Sequence, residues 1–218
     1  MAEPSDASTK SINGAWKNLP IVKDLYMRYP QADWYVIVDD DSYIIQTNLR
    51  RVLGSLNNNN NQPLYVGIAF WSSAAKDAFK FIQGGGSICM NRHAVRRISP
   101  HIRGCIKRHA HHWAGDIRLG ACFAEYSVAP TSHHAFWSQD VFLSMGRDKR
   151  WLETSFPASF HMMRDSSWVY ALYHAELFAL ATNKENKVVD WPTLRQYFNQ
   201  SFMAYQFPKE LYEGDPIP

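Results

Sequence analysis

The sequence predicts an α/β fold, and three observations predict it. The first is 34-WYVIV-38, an apolar stretch rich in aromatic and β-branched side chains and without polar alternation. Such a run reads as a strand buried on both faces, as in the middle of an α/β sheet. The second is a similar stretch, 64-LYVGIAF-70. The third is that segments with helical apolar spacing separate these strands, so the two element types alternate. At 218 residues the chain suits one domain with a sizeable core, and neither an internal repeat nor a linker divides it.

The elements follow in order. Residues 15–29 read as a helix, because Leu19, Val22, Leu25, Tyr26 and Tyr29 recur at helical spacing and Pro30 stops it. Residues 46–56 read as a second helix, with Thr47 expected as its N-cap and Leu49, Val52, Leu53 and Leu56 on one face. Five asparagines, Asn57 to Asn61, make a low-complexity loop to which no function is attached. The stretch 84-GGGSICMNRHAVRRI-98 passes from three glycines through a short apolar segment into a helix. Residues 116–126 are expected to be helical, with Leu119, Cys122, Phe123 and Tyr126 together. So are residues 166–182, with Val169, Leu172, Tyr173, Leu177 and Leu180 on one face. The core thus runs over 15–182, and residues 1–14 and the Pro-rich tail from 208 are expected to be irregular.

Charge and composition exclude some functions. A net charge of +3 with scattered basic residues does not suit a nucleic-acid or membrane-surface partner. No apolar run approaches the roughly 18 residues of a spanning helix. The opening MAEPSDASTKSI is polar and is not a signal peptide, so the chain taken literally reads as soluble and cytosolic. Cys89, Cys105 and Cys122 form no CxxC pair, which argues against structural zinc. In an oxidising compartment they allow one disulfide and one leftover thiol.

The strand at 34–38 runs straight into Asp39, Asp40 and Asp41. Ligands gather at the carboxyl ends of strands in open α/β sheets. Along an extended chain residues i and i+2 point the same way, so Asp39 and Asp41 converge and Asp40 faces the other side. Two convergent carboxylates make a hard oxygen site for Mg²⁺ or Mn²⁺ that could hold a diphosphate. The competing reading is a turn that caps the next helix. Gly84, Gly85 and Gly86 read either as a plain tight turn or as backbone that approaches a ligand closely or takes positive φ. They are not a P-loop, since no Gly-Lys-Ser/Thr follows. Asp116 opens a helix and reads as an N-cap or as a general base in a cleft. His109, His111 and His112 have no helical ligand-pair spacing and read as a solvated loop. His133, His134 and His161 are single candidates, each either structural or a ligand. A metal-dependent phosphoryl-transfer or hydrolase domain would need a nucleophile or a phosphate loop, and neither is visible.

The ordered motifs resemble glycosyltransferase family 31, the β-1,3-glycosyltransferases of the fringe and core 1 galactosyltransferase type. The resembling segments are ADWYVIVDDDSYIIQTNL at 32–49, GGGSICMNRHAVRRI at 84–98, GDIRLGACFAEYSV at 115–128, HHAF at 133–136 and SFHMM at 159–163. The resemblance implies a GT-A fold, a Rossmann-like α/β sandwich. It implies Mn²⁺ and a UDP-sugar donor, with galactose suggested by the core 1 branch. The acceptor would be a glycan or glycoprotein such as O-linked GalNAc. Asp39, Asp40 and Asp41 would form the metal and donor motif, with Asp41 the direct ligand and Asp39 near the ribose. Asp116 would be the catalytic base and His161, with His134 as the alternative, the late metal ligand. Gly84, Gly85 and Gly86 would line the sugar pocket. Cys105 and Cys122 flank the Asp116 turn, where relatives often carry a bridge. Trp34, Trp71, Trp113 and Trp137 lie near the motifs as unranked candidates for stacking on sugars.

Two departures accompany the resemblance. Gly115 stands where relatives usually have a second acidic residue. The family's first nucleotide-holding units usually precede the acidic motif by about a hundred residues. Here 38 residues stand before Asp39. The expectation is therefore a Golgi-lumenal enzyme represented by an N-terminally truncated chain, with a non-catalytic or chaperone-like relative as the alternative. A homodimer is left open.

Overall fold

A computed structural model describes residues 14–56, 62–72, 78–138, 156–163, 166–182 and 188–206, with side chains as far as Phe198. A 3₁₀ turn, Ala15–Lys17, leads into α1 (Asn18–Arg28), which buries Leu19 and Val22. The Tyr29 amide closes its last turn on the Leu25 carbonyl before Pro30. Then come β1 (Trp34–Ile37), β2 (Tyr43–Ile44), α2 (Gln46–Leu56), β3 (Tyr65–Gly67), β4 (Ala69–Trp71), β5 (Lys80–Ile82) and β6 (Ile88–Asn91). These are followed by α3 (Arg92–Ile98), α4 (Ile102–Arg108), α5 (Gly115–Glu125), β7 (Pro130–Ser132), β8 (Ser159–Phe160), α6 (Ser166–Thr182) and α7 (Trp191–Gln206). The sequence pattern does not single out α4 or α7. The expected loop at Asn57 to Asn61 and the tail from 208 lie outside the described residues.

The main sheet is mixed, in the order β1-β6-β3-β7. β6 pairs antiparallel with β1 (Trp34 opposite Asn91) and with β3 (Tyr65 opposite Met90), and β3 pairs parallel with β7. Among the described residues β1 is therefore an edge strand, not the expected middle one. Its burial alternates, with Tyr35 and Ile37 buried and Trp34 and Val36 half-buried. The central strands, β6 from the glycine-led segment and β3, are buried at every position. One sheet face packs on α1, α3, α4 and α5 through Leu19, Val22, Ile98, Leu119 and Phe123. The other packs Val66 and Cys89 against Val52 and Leu53 of α2. Asn91 joins sheet to helix: its Oδ1 accepts the amides of Ala94, as the α3 cap, and of Leu64, both at 2.9 Å.

Three local expectations change. The stretch expected as one strand at 64–70 divides after Gly67, where a Cβ would overlap the Ile82 side chain and the Ser87 carbonyl. The chain leaves the sheet there, and β4 pairs with β5 in a separate hairpin, Trp71 opposite Lys80. α2 begins at Gln46, so Thr47 lies inside its first turn and is not its cap; the Thr47 hydroxyl is buried with no hydrogen-bond partner among the described residues. α6 buries Ala171, Leu172, Ala175 and Ala179, while Val169, Tyr173 and Leu177 of the expected face are exposed. The alanines form an i, i+4 row that lets α7 pack close, with Leu194 and Phe198 in the same cluster.

Candidate active site

The acidic run leaves β1 in a turn. The Ser42 amide donates to the Asp39 carbonyl at 3.2 Å. The Ser42 hydroxyl donates to the Gly85 carbonyl at 3.0 Å, and the Met163 amide to the Asp41 carbonyl at 2.9 Å. Pairing of β2 with β8 sets His161 directly after Phe160, beside the turn. The structure thus brings one ligand atom each of Asp39, Asp41 and His161 within 4.8 Å of one another. Asp39 and Asp41 converge through a turn, where the sequence suggested an extended chain. Asp40 is exposed and belongs neither to this group nor to the cavity beside it.

The imidazole orientation reveals the character of the group. His161 is buried, and its Nδ1 lies 3.1 Å from the Ser138 carbonyl. A carbonyl only accepts, so Nδ1 carries the proton, and in the neutral ring Nε2 presents its lone pair. Nε2 faces Asp41 Oδ1 at 3.1 Å and Asp39 Oδ2 at 3.7 Å, offering a lone pair in the neutral ring and an N–H in the imidazolium. Three electron-rich groups meeting this way repel unless a proton or a cation lies among them. Two carboxylates and an imidazole, with the far ring nitrogen fixed by a carbonyl, suit Mn²⁺ in ligand type. Met162, the residue after His161, has φ 61°, a left-handed conformation that strains a side-chain-bearing residue.

The glycines act through space rather than backbone freedom. A Cβ on Gly85 would overlap the His161 ring, and one on Gly84 would press on the Asp39 carboxylate at 3.3 Å. Positive φ falls on Ser87 instead, at 79°. The Gly84 amide donates to Asp116 Oδ2 at 2.9 Å, linking the glycine turn to α5. Asp116 is not the N-cap of α5, which is Ala114. Its Oδ1 accepts the Ile117 amide at 2.8 Å. Burial raises the Asp116 pKa, with hydrogen bonds from the Gly84, Ile117 and Asp116 amides and His161 opposing. The Asp39 pKa is also raised, by desolvation first and by Asp116, Asp41 and Asp40, against His161. Asp39, Gly84, Asp116 and His161 share an open cavity of about 510 Å³ with Trp71 and Trp113.

Comparison with known proteins identifies the family. A family model described as Fringe-like matches residues 6–183, most of the chain. The chain belongs to the Fringe-like family. A mouse protein named beta-1,3-glucosyltransferase is 28% identical over 139 residues, which is 64% of this chain and 27% of that protein. Its human counterpart by name is 29% identical over 128 residues, 59% of this chain and 24% of that protein. A human chondroitin sulfate glucuronyltransferase is 29% identical over 92 residues, 42% of this chain and 12% of that protein. The chain thus spans about a quarter of the glucosyltransferases it matches, and all three relatives are glycosyltransferases by name.

The remaining candidates in this Fringe-like chain lie elsewhere. His134 is exposed, stacks on His133 and is outside the ligand group. His109 and His112 are half-buried rather than solvated: His109 lies 2.9 Å from Glu125, and burial and the neighbouring His111, His109 and Arg118 push the His112 pKa down to about 4. Cys105 and Cys122 form a disulfide and Cys89 is a buried free thiol. Gly115 packs on Asn18 so closely that a Cβ would come within 2.7 Å of its amide, which leaves no room for the acidic residue of relatives. Sequence reasoning missed Arg118, a buried cation whose guanidinium donates to the His112 carbonyl at 2.7 Å and the Ala110 carbonyl at 2.8 Å. A basic residue on the apolar face of a helix, two positions after Asp116, was the available signal.

Proposed function

We propose that the chain carries the catalytic centre of an inverting β-1,3-glycosyltransferase of GT-A architecture, which moves a sugar from a UDP-sugar to a glycan acceptor. One observation carries the reading: Asp39 and His161, two members of the group that Asp41 completes, line a cavity with a half-buried carboxylate, Asp116, in a Fringe-like chain. Asp39, Asp41 and His161 would hold Mn²⁺. A divalent cation supplies stabilisation of the charge that grows on a departing diphosphate.

The chain's own residues do the rest. The Ser138 carbonyl holds Nε2 of His161 toward the carboxylates. Gly85 leaves space for that ring, and Gly84 fixes the Asp116 carboxylate by its amide. Each Asp116 oxygen accepts one amide and keeps lone-pair capacity for an acceptor hydroxyl. The acceptor O–H proton passes to Asp116 as its oxygen bonds to the anomeric carbon. The bond from that carbon to the diphosphate oxygen breaks on the opposite face, and the configuration inverts. The raised pKa makes Asp116 a stronger base than an ordinary carboxylate.

Galactose as donor sugar and O-linked GalNAc as acceptor rest on the core 1 resemblance, whereas the relatives are named for glucosyl and glucuronyl transfer. A lumenal location suits the disulfide between Cys105 and Cys122. No helix among the described residues is long and apolar enough to cross a membrane. Calorimetry with UDP and Mn²⁺, followed by turnover with UDP-galactose, UDP-glucose and UDP-glucuronic acid, tests the reading. UDP should bind only with the metal, and Asp41→Asn should remove that binding. Absence of UDP binding with and without Mn²⁺ defeats the enzyme reading and leaves the non-catalytic one.

A further inference from the structure

The cavity has a wall that the chemistry above does not use. Trp71 on β4 and Trp113 just before α5 both line it, and they are 65% and 52% exposed. Phe70 lines it as well. Large aromatic side chains contribute most to binding when a partner covers them. Trp34 and Trp137, the other two candidates near the motifs, are half-buried and buried in the fold and are outside the lining. The structure thus ranks four tryptophans that the sequence could not.

The segments that carry both indoles are anchored. Trp71 stands opposite Lys80 in the β4–β5 hairpin, and the Lys80 ammonium lies 5.1 Å from its ring centroid. Even with that contact, about two thirds of Trp71, 65%, stays exposed. Trp113 belongs to the 109–114 loop, which is closed at its base by the Cys105–Cys122 disulfide and pinned by Arg118 through the carbonyls of Ala110 and His112. Phe81 of β5 packs with Ala114 and Ile117 around the start of α5, and Phe79 packs against them. The hairpin with Trp71 and the loop with Trp113 are therefore one packed unit, built around Asp116.

The chemistry selects the ligand class. A pyranose has a flat C–H face for an indole and a rim of hydroxyls for polar neighbours. Gln83, Asn18 and Asp116 line the same cavity and supply such neighbours. A purely apolar ligand would leave those groups without partners, and Asp39 and Asp116 oppose an anion that brings no divalent cation with it. We infer that Trp71 and Trp113 form the acceptor subsite, a stacking platform that binds a neutral pyranose glycan and sets its hydroxyl at Asp116. The role as acceptor site rests on the glycosyltransferase reading; the binding of a sugar does not.

Saturation-transfer NMR separates the two. The probes are methyl glycosides of hexoses, deoxyhexoses and N-acetylhexosamines, added to the full chain without donor. Saturation should concentrate on one C–H face of a bound sugar. Trp71→Ala and Trp113→Ala should each weaken binding about tenfold, and the Phe variants should keep part of it. UDP affinity with Mn²⁺ should stay unchanged in all four variants, and circular dichroism melting reports their folding independently of UDP. Failure of every glycoside to bind wild-type protein, or unchanged binding in both Ala variants, overturns the platform. Sugar binding that the Ala variants lose, in a chain that does not bind UDP, upholds the platform and defeats the enzyme reading instead.

Discussion

Among the described residues two clusters gather metal-ligating residue types, and they are opposites. Asp39, Asp41 and His161 form one; Cys105, His109 and Glu125 form the other. In the second every group already has a partner. Cys105 is bonded to Cys122, and Glu125 meets Arg108 at 2.6 Å and His109 at 2.9 Å. In the first, two carboxylates converge on a single imidazole nitrogen. The acids respond in opposite directions. The Asp39 pKa is raised, by desolvation first and by other carboxylates. Burial also pushes Glu125 up, but hydrogen bonds from Arg108 and His109 outweigh it and the pKa is lowered. Ligand types alone therefore do not make a site. A cluster whose charges are compensated internally is a latch, whereas one left in electrostatic conflict is built for something that comes from outside.

The sharpest way to break this comparison is at Asp116, which shares the conflict but not the ligand group. Asp116→Asn removes the base and keeps one of the two amide hydrogen bonds, since one carboxylate oxygen becomes an NH2 donor. Turnover should fall by about 10²–10⁴, the usual range for a general base. UDP affinity with Mn²⁺ should hold within about twofold, since Asp116 touches no proposed ligand. Single-turnover kinetics beside calorimetry check the split. Equal loss of binding and turnover would make Asp116 a part of the donor site.

The latch should behave in the opposite way. Its disulfide has a sequence separation of 17, and a loop of that size stabilises by about 3 kcal/mol through the unfolded chain. Cys105→Ala with Cys122→Ala should lower the melting temperature by that stability, read by circular dichroism. UDP binding with Mn²⁺ should survive below the new transition, because the ligand group lies on β1, β8 and the turns after them. Metal binding that disappears with the bridge would join the two clusters into one unit.

Local pattern made much of the fold legible. Apolar spacing located α1, α2, α3, α5 and α6, because the alternation of buried and exposed residues is written within each helix. It misplaced the buried face of α6, since Tyr173 and Leu177 outrank alanine in apolarity while α7 selects the small residues. It also put β1 in the middle of the sheet, because an apolar strand does not carry the order of its neighbours. The site was legible in another way. Nothing local links Asp41 to His161; the pairing of β2 with β8 does, and only the ordered resemblance suggested that pair before the structure. Arg118 and the ranking of the tryptophans were illegible because both depend on which loop lies against which hairpin.

The smallest effect concerns pH, and here the contrast extends to a third acid. Glu176 on α6 accepts the Tyr43 hydroxyl at 2.5 Å, and desolvation raises its pKa despite that bond. A raised pKa means that the folded state holds the proton more tightly. Its stability contribution is full below the unfolded value of about 4.3 and fades as pH rises through the folded pKa. Glu125 has the reverse sign: its contribution is full above the unfolded value and is lost as pH falls through the lowered folded pKa. Glu176→Gln should therefore leave the protein at least as stable as wild type at pH 7, with any gain vanishing toward pH 4, since the Gln carbonyl still accepts from Tyr43. Glu125→Gln should destabilise slightly at pH 7, less so in high salt, and match wild type in acid. Melting temperatures across pH 4 to 8 decide it. Parallel profiles for the two variants would show that the latch is no better compensated than the buried acid.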